Sequence, residues 1–571
     1  TPSPSLTVES IGVYRALTGV HLNNLEGHRL VGCIGSTNKM DKDNATTVAV
    51  IGAGSTGLSM LKTLREDGFD ATLFERRSRV GGLWSYTDDK SMTTALPSTN
   101  AIISKYTCGF TDFPMPDKYG PFLSQGDFEE YMESYAENFG LYKHIVFNST
   151  VKQVVRNGDG TKWKVKMVRS GSQEVKEFDK VVLCHGYQTQ PRMPIFEGQE
   201  LYQGQLIHSQ QFRNPENYKG QKVVLVGLSA TMSDLLTILV DQARETFVSH
   251  RNGAMIIGRW RNGLPTDLLI NRARRQMSYF LQRNFPNQVN KLVKLATGLL
   301  MRQHGKIDPA WRLLENVAPL SLHLAGCMDT TLELLREGKV SSLYGIKRFL
   351  GGKKIEFTDG TVLDDVDSVV CCTGYTADFS LVPFVETSKP KADAAGHPYG
   401  GESIARLYMN LFPPAHADSI AILAYSTYGK NNGFSFSDVT SMAISNIWRG
   451  VSADMIPSRP KMERAIDRHQ EWVAGRWHQE NRSEPGAVKQ WEFQGFLHQA
   501  AGTGMENLGW GWRGWVTWFK DPYMVYLINH GVETAHAFRY FETGKRKTWD
   551  GAREAIIHMN KLVKQLKSAK R

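Results

Sequence analysis

Val48-Ala-Val-Ile-Gly52-Ala-Gly54-Ser55-Thr56-Gly57 decides the fold. An apolar run of strand type ends in G-x-G-x-x-G, and the next residues change period. From Gly57 to Glu66 the apolar positions Leu58, Leu61 and Leu64 share one side of a helix, and Asp70 to Phe74 reads as a second strand. This is a βαβ unit whose glycines open the helix, which makes the motif specific rather than incidental. Gly52 permits the tight turn, Gly54 lets a pyrophosphate approach the backbone, and Gly57 lets helix and strand pack closely. The N–H groups of the first helical turn, Ser55 and Thr56 included, present a partial positive charge to phosphate. Glu75 follows the second strand. A carboxylate there accepts hydrogen bonds from an adenosine ribose and repels a 2′-phosphate, so the site is expected to hold FAD or NAD and not NADP. Gly81-Gly82-Leu83-Trp84 follows closely, either as an ordinary turn or as a passage of the chain past the rest of the dinucleotide.

A second unit starts at Lys222 to Val226. Gly227-Leu228-Ser229-Ala230-Thr231-Met232 stands where a second fingerprint belongs, followed by the apolar-periodic Leu235 to Val240. Only the first glycine remains. Ser229 is small enough for close backbone approach, and Thr231 carries a donor for phosphate. Met232 departs from the Gly or Ala that keeps helix and strand together. The next strand, Thr246 to Ser249, ends in His250-Arg251 rather than in an acid. An arginine there suits a ribose 2′-phosphate, whose charge its planar fork of donors meets, and this favours NADPH; a surface arginine is the alternative. A buried strand, Ser368 to Cys372, leads into Thr373-Gly374-Tyr375. The expected architecture is α/β: two Rossmann-like dinucleotide-binding domains, for FAD and NADPH, the second inserted in the first, with a helical insertion.

Composition agrees with a soluble globular protein. The chain has 571 residues, 41% hydrophobic and 22% charged, which excludes disordered, collagen-like and coiled-coil classes. No window approaches the ~18 apolar residues of a membrane span, and no secretory signal opens the chain. The six cysteines contain no C-x-x-C pair, which argues against a zinc ribbon and a dithiol redox centre. No metal is expected, and a cytoplasmic location is.

With both sites in view, the stretch from about Val48 to Lys564 resembles the flavin-containing monooxygenase family. Tyr202-Gln-Gly204-Gln-Leu-Ile-His208-Ser-Gln-Gln-Phe212 is similar to the family pattern F-x-G-x-x-x-H-x-x-x-F/Y, with Tyr202 for the first Phe. Arg213 follows Phe212 where related Baeyer–Villiger enzymes end the pattern in Trp-Pro or Trp-Asp. Ser104-Lys105 with Asp112-Phe113-Pro114 resembles the S-K…D-F-P stretch, and Cys184-His185-Gly186 and Cys372-Thr373-Gly374-Tyr375 resemble the two interdomain linkers. The resemblance implies FAD on the first fold and NADPH on the second. NADPH then reduces the flavin, oxygen adds to give a C4a-hydroperoxyflavin, and a soft amine nitrogen or sulfide sulfur takes one oxygen atom. Expected FAD contacts are Gly52, Gly54, Ser55, Thr56, Gly57, Glu75, Arg76, Gly82, Leu83, Trp84, Val151 and Thr373. Expected NADPH contacts are Gly227, Ser229, Ala230, Thr231 and Arg251. His208 is read as a structural or hinge residue, with active-site contact as the alternative. At the position of the family asparagine, ten residues before Asp112, stands Ile102. Asn100 fills the role only if the loop is shifted. The competing readings are oxygen insertion beside a ketone carbonyl and an uncoupled NADPH oxidase releasing peroxide.

The expected boundaries are an N-terminal extension 1–46, a first FAD part 47–214, an NADPH domain 215–340 carrying a basic helical insertion 251–320, a second FAD part 341–450, and a Trp-rich region 451–571. Net charge is +11, and the segment Arg251 to Arg312 alone carries twelve Lys/Arg against Asp267 and Asp308. It is read as a solvated helical face with cofactor-phosphate ligands, or as a weak peripheral contact with an anionic membrane that fades as salt rises; nucleic acid is not expected as a partner. The tryptophans at 510–518 pack a core, line a substrate tunnel or lie on a membrane. The basic end Leu562 to Arg571 is too short for the apolar anchor of vertebrate-type relatives. Self-association stays open.

Overall fold

The computed structural model describes residues 45–568 apart from 303, 318–325, 329, 424–432, 481–485 and 547. The expected extension therefore lies outside the described residues except for Ala45 and Thr46.

Ten strands build the two main sheets: β1 (Thr47–Ile51), β2 (Asp70–Phe74), β3 (Ile145–Val146), β4 (Lys180–Leu183), β5 (Gln205–His208), β6 (Lys222–Val226), β7 (Glu245–Ser249), β8 (Val340–Leu343), β9 (Ser368–Cys371) and β10 (Ile420–Ile422). The first sheet runs β10-β4-β1-β2-β3 and the second β8-β7-β6-β9-β5. Every pair in both is parallel. The second sheet lies in sequence between β4 and β10 of the first, so one dinucleotide domain is inserted in the other.

β9 pairs with β6 on one side and β5 on the other, so residues 205–208 and 368–371 lie in the second sheet although they fall outside the expected 215–340. The physical reason is that a parallel sheet recruits strands distant in sequence.

The helices are α1 (Ser55–Glu66), α2 (Gln125–Asn138), α3 (Ala230–Leu239), α4 (Arg272–Asn284), α5 (Pro286–Arg302), α6 (Thr331–Arg336), α7 (Gly433–Trp448), α8 (Arg459–Glu480), α9 (Gln490–Ala501), α10 (Trp512–Lys520), α11 (Pro522–His530) and α12 (Ala552–Ser568). α4 and α5 supply the helical insertion. Both faces of the first sheet are buried, as parallel strands require. Val48 and Val50 join Leu58, Leu61 and Leu64 of α1 on one face. Ala49 and Ile51 join Phe74 and Trp163 on the other, beneath the antiparallel meander Ser149–Arg156, Trp163–Arg169 and Ser172–Phe178. The second sheet repeats this, with Val223 and Leu225 toward α3 and Val224 toward Phe349 and Ile355.

A buried charge cluster ties α1 to the C-terminal part. Lys62 of α1 lies 2.5 Å from Asp112, which also lies 3.1 Å from Arg539. Asp438 of α7 accepts from the N–H (2.6 Å) and hydroxyl (2.9 Å) of Thr111. Burial alone would raise the Asp112 pKa; Arg539 and Lys62 together hold it below the usual carboxylate value.

Candidate active site

The two glycine turns are built alike. Gly52 has φ +105°, and a Cβ there would sit 2.7 Å from the carbonyl oxygen of Cys184. Gly227 has φ +118°, with Cys372 O at 2.6 Å. Gly52 N–H donates to Phe74 O (2.8 Å), and Gly227 N–H to Ser249 O (2.9 Å). Each turn therefore packs on the first residue of an interdomain linker. Gly54 and Ser229 are the equivalent N-caps of α1 and α3, both in extended backbone, and neither helix is capped by a side chain. Helix N–H groups left this way are the donors a dinucleotide phosphate takes.

The first cradle fits a pyrophosphate closely. A Cβ on Gly82 would meet Gly54 Cα at 3.0 Å, and one on Gly57 would overlap Gly52 O at 1.8 Å. Glu75 is buried and accepts from Ala53 N–H (2.6 Å) and Arg77 N–H (2.8 Å). Those bonds fix the carboxylate over the glycine loop while each oxygen keeps acceptor capacity for a ribose. Arg76 is exposed beside it, and Leu83 lies at the rim. The Trp84 ring packs on Phe128 with centroids 4.3 Å apart. Thr56 turns its hydroxyl to Ser437 of α7 (3.2 Å). The Val151 side chain belongs to the core beneath the sheet, which leaves only its backbone for a ligand. Thr373 donates to Arg192 O (2.6 Å).

In the second cradle the residue matching Glu75 is His250, since β6 and β7 pair as β1 and β2 do. His250 is buried, with Nδ1 near Asn252 O (3.0 Å) and Nε2 near Ser342 Oγ (2.9 Å). No carboxylate occupies this place. Arg251 comes next, exposed, its stem crossing Gly345, where a Cβ would sit 2.8 Å from Arg251 Cγ. Arg312, which the sequence reading did not single out as a ligand, stacks on the neighbouring Tyr344 ring at 3.3 Å. Met232 is fully buried among Leu225, Leu235 and Leu236. Because Gly57 admits no Cβ against Gly52 and Met232 has one, α3 stands off its glycine turn farther than α1 does.

The family-pattern residues gather at the linker. His208, at the end of β5, is buried; its Nδ1 accepts Gln210 N–H (3.1 Å), so Nε2 donates to Gly374 O (3.0 Å). Its ring meets Tyr375 edge to face at 5.0 Å. Gly204 has no room for a Cβ, which would lie 2.3 Å from Tyr202 Oη; that hydroxyl donates to Val366 O. Phe212 stacks on Tyr218. Arg213 spreads its guanidinium over the carbonyls of Thr87, Gln210, Phe212 and Met92 (2.6–2.8 Å). These are contacts that hold linkers in place.

Ile102 is 52% exposed, and Asn100 donates its amide to Ser98 O (3.3 Å). The loop carrying both is held by residues of the insertion that sequence reading missed. Arg259 donates to Ala101 O (2.8 Å) and Asn100 O (3.2 Å), and Asp267 accepts from Ser104 and Thr107. No local signal marks these pairs, which are about 160 residues apart. Trp510, Trp512, Trp515 and Trp518 are all exposed, which excludes core packing for them. Among the described residues no helix is long and apolar enough to cross a membrane, and no His/Cys/Asp/Glu group can hold a metal ion.

Two parallel sheets, each presenting a glycine turn and a helix N-terminus, one domain inserted in the other, define a flavoprotein oxidoreductase of the two-dinucleotide class. Residues 45–570 match the model of the flavin-binding monooxygenase-like family, and the chain belongs to that family: it is a flavin-dependent monooxygenase. It is 31% identical over 527 residues to the monooxygenase aurF of Gibberella zeae, covering 90% of this chain and 97% of that protein. It is 29% identical over 540 residues to dimethylaniline monooxygenase (N-oxide-forming) 2 of Rattus norvegicus, covering 91% and 93%. The S-allyl-L-cysteine S-oxygenase structure from Allium sativum superposes with a TM-score of 0.57 at 19% identity, covering 91% of this chain and 99% of that one.

Proposed function

We propose that the enzyme uses FAD on the first cradle and NADPH on the second to place one oxygen atom of O2 on a soft nitrogen or sulfur atom. The observation that carries this is the unlike ends of two like cradles: Glu75 at one, His250-Arg251 at the other. The carboxylate suits an unphosphorylated ribose; the arginine suits a 2′-phosphate. When bound, the flavin accepts hydride from the nicotinamide and activates oxygen for transfer. The protein's share is binding and placement. The N-termini of α1 and α3 hold the two pyrophosphates, and Glu75 and Arg251 select the ribose ends. His208 and Arg213 fix the linkers that set one domain against the other.

Nitrogen or sulfur is favoured over a ketone because Phe212-Arg213 stands where related ketone-oxygenating enzymes carry Trp-Pro or Trp-Asp. The N-oxide chemistry in the rat relative's name is further support. A second reading, release of peroxide without oxygenation, is favoured by one observation: the apolar Ile102 where the family places an amide. NADPH consumption with amines, sulfides and ketones, with peroxide measured in parallel, tests both. Oxygenated amine or sulfide matching NADPH consumed is the expected result. Stoichiometric peroxide with every substrate overturns the first reading in favour of the second.

A further inference from the structure

The chain crosses between the two sheets twice, at residues 184–204 after β4 and at residues 372–419 after β9. The crossings pair into a short antiparallel ribbon, Gln190–Pro191 against Tyr375–Thr376. Arg192 N–H donates to Gly374 O (2.9 Å), and the Thr373 hydroxyl donates to Arg192 O (2.6 Å). A ribbon of two strands is marginal by itself and twists easily, so the angle between the domains depends on what holds it from outside. One side chain of the first domain does this. Thr93 lies in the loop 85–95, whose base is closed by Ala95 N–H on Leu83 O (2.7 Å). Its hydroxyl donates to Gln188 O in the first crossing (2.5 Å) and accepts from Gln210 Nε2 (2.8 Å), just past β5. The Tyr375 hydroxyl, in the second crossing, bonds to it as well. Both crossings and the second domain therefore meet on one oxygen atom.

The same residue reaches back to the first cradle. Thr93 O accepts from Arg77 Nη2 (2.6 Å), and Arg77 N–H donates to Glu75 Oε1 (2.8 Å). A path of hydrogen bonds thus runs from the acid at the end of β2 to the ribbon. Gln210 is buried, so its amide has no water to turn to when Thr93 is lost. The neighbouring Thr94 differs: its hydroxyl bonds Ser85 O and Ala95 O (3.3 Å each), inside the loop. We propose that Thr93 is a positioning residue for hydride transfer, locking both crossings to the first domain so that the two cradles face each other at one fixed angle. Hydride transfer needs its two reacting atoms near contact, so its rate falls steeply with misplacement. Binding of each dinucleotide is made within its own cradle and survives the loss. The inference rests on FAD occupying the first cradle and NADPH the second, and it is independent of what is oxygenated.

Anaerobic rapid mixing of the FAD-loaded full chain with NADPH is the test, because flavin bleaching against NADPH concentration separates the reduction rate from the Kd. In Thr93→Val the reduction rate constant falls about tenfold or more. The Kd for NADPH stays within about threefold, and bound FAD is undiminished. Thr93→Ser keeps the hydroxyl and restores the rate, and Thr94→Val leaves it unchanged. Amide exchange, read without any turnover, speeds up at 186–192 and 373–376 in Thr93→Val and not in Thr94→Val. Gln210→Met reproduces the effect from the other domain and carries the test where Thr93→Val fails to fold. The double variant is no slower than Thr93→Val, since the two share a bond. Reduction at the unmodified rate with unchanged exchange overturns the proposal. So does a rise in Kd that accounts for the whole loss, or a serine variant as slow as the valine one. FAD missing from the unmodified protein overturns the cradle reading instead, and amide exchange in Thr93→Val still decides the lock.

Discussion

Asp267 Oδ2 accepts both the backbone N–H (3.1 Å) and the hydroxyl (2.8 Å) of Ser104. The acceptor belongs to the insertion of the second domain and the donors to the first. With Arg259 on the carbonyls of Asn100 and Ala101, the loop 100–107 is fastened at both ends by the neighbouring domain. A small displacement of a site loop is costly to a reaction that depends on placement. Asp267→Asn with Arg259→Ala is expected to raise peroxide released per NADPH several-fold, leaving the KM for NADPH within about a factor of two. Amide exchange in 100–107 speeds up in the same variant. Unchanged exchange and unchanged peroxide would show that the loop holds its place unaided.

Arg251 is the residue proposed to separate the two coenzymes. A charge-assisted contact with phosphate is worth roughly 1.5–3 kcal/mol, so Arg251→Gln should lower kcat/KM for NADPH about 10–100-fold. Turnover with NADH should stay within about twofold, because that coenzyme has no 2′-phosphate. Equal losses with both would remove Arg251 from the ribose end.

Asp112 sits between two cations. Asp112→Asn removes the carboxylate that Lys62 and Arg539 share and leaves Lys62 with only the exposed Glu66 (3.2 Å), a change that costs about 3–5 kcal/mol. Chemical denaturation of the apoprotein reads this directly. A cost below about 1 kcal/mol would mean that water enters the cluster.

How much of this was legible beforehand follows from the range of each interaction. β1, α1 and β2 were readable because glycine spacing and apolar period are local, and their pairing joins neighbours in sequence. β9 was readable as a buried strand, but nothing local names its partners, and β5 carries no such mark. Gln205–His208 is too short to show a period, and it joins the second sheet through Ser368–Cys371, far along the chain. The same range hid Arg259 and Asp267. Net charge located the basic segment, but only the fold shows that Arg272 and Arg275 spend their charge inward on α11 and the following loop.

Three buried histidines predict the acid response. His208, His250 and His536 are each held below the usual value near 6.5, first by burial. A histidine with a depressed folded pKa takes up its proton on unfolding, so stability is complete above about pH 6.5 and declines as pH falls below it. Melting temperature should therefore drop between about pH 7.5 and 5.5, a window in which ordinary carboxylates stay ionised. A flat profile there would mean that these rings are hydrated in the folded protein.

Met232 distinguishes a coenzyme residue from a core residue. It stands at the third glycine position of the second fingerprint, where Gly57 stands in the first, so a sequence comparison would assign its effect to coenzyme binding. The fold argues otherwise. Its side chain is fully buried among Leu225, Leu235 and Leu236, and α3 already stands off far enough to accept a Cβ. Met232→Ala removes buried volume that the surrounding leucines cannot refill, at a cost of about 2–5 kcal/mol. The KM for NADPH should hold within about twofold, since the N-cap Ser229 and its helix N–H groups are untouched. Denaturation of the apoprotein and NADPH kinetics on the FAD-loaded enzyme read the two effects separately. A large rise in KM with little loss of stability would place Met232 against the coenzyme and move α3 closer to its turn.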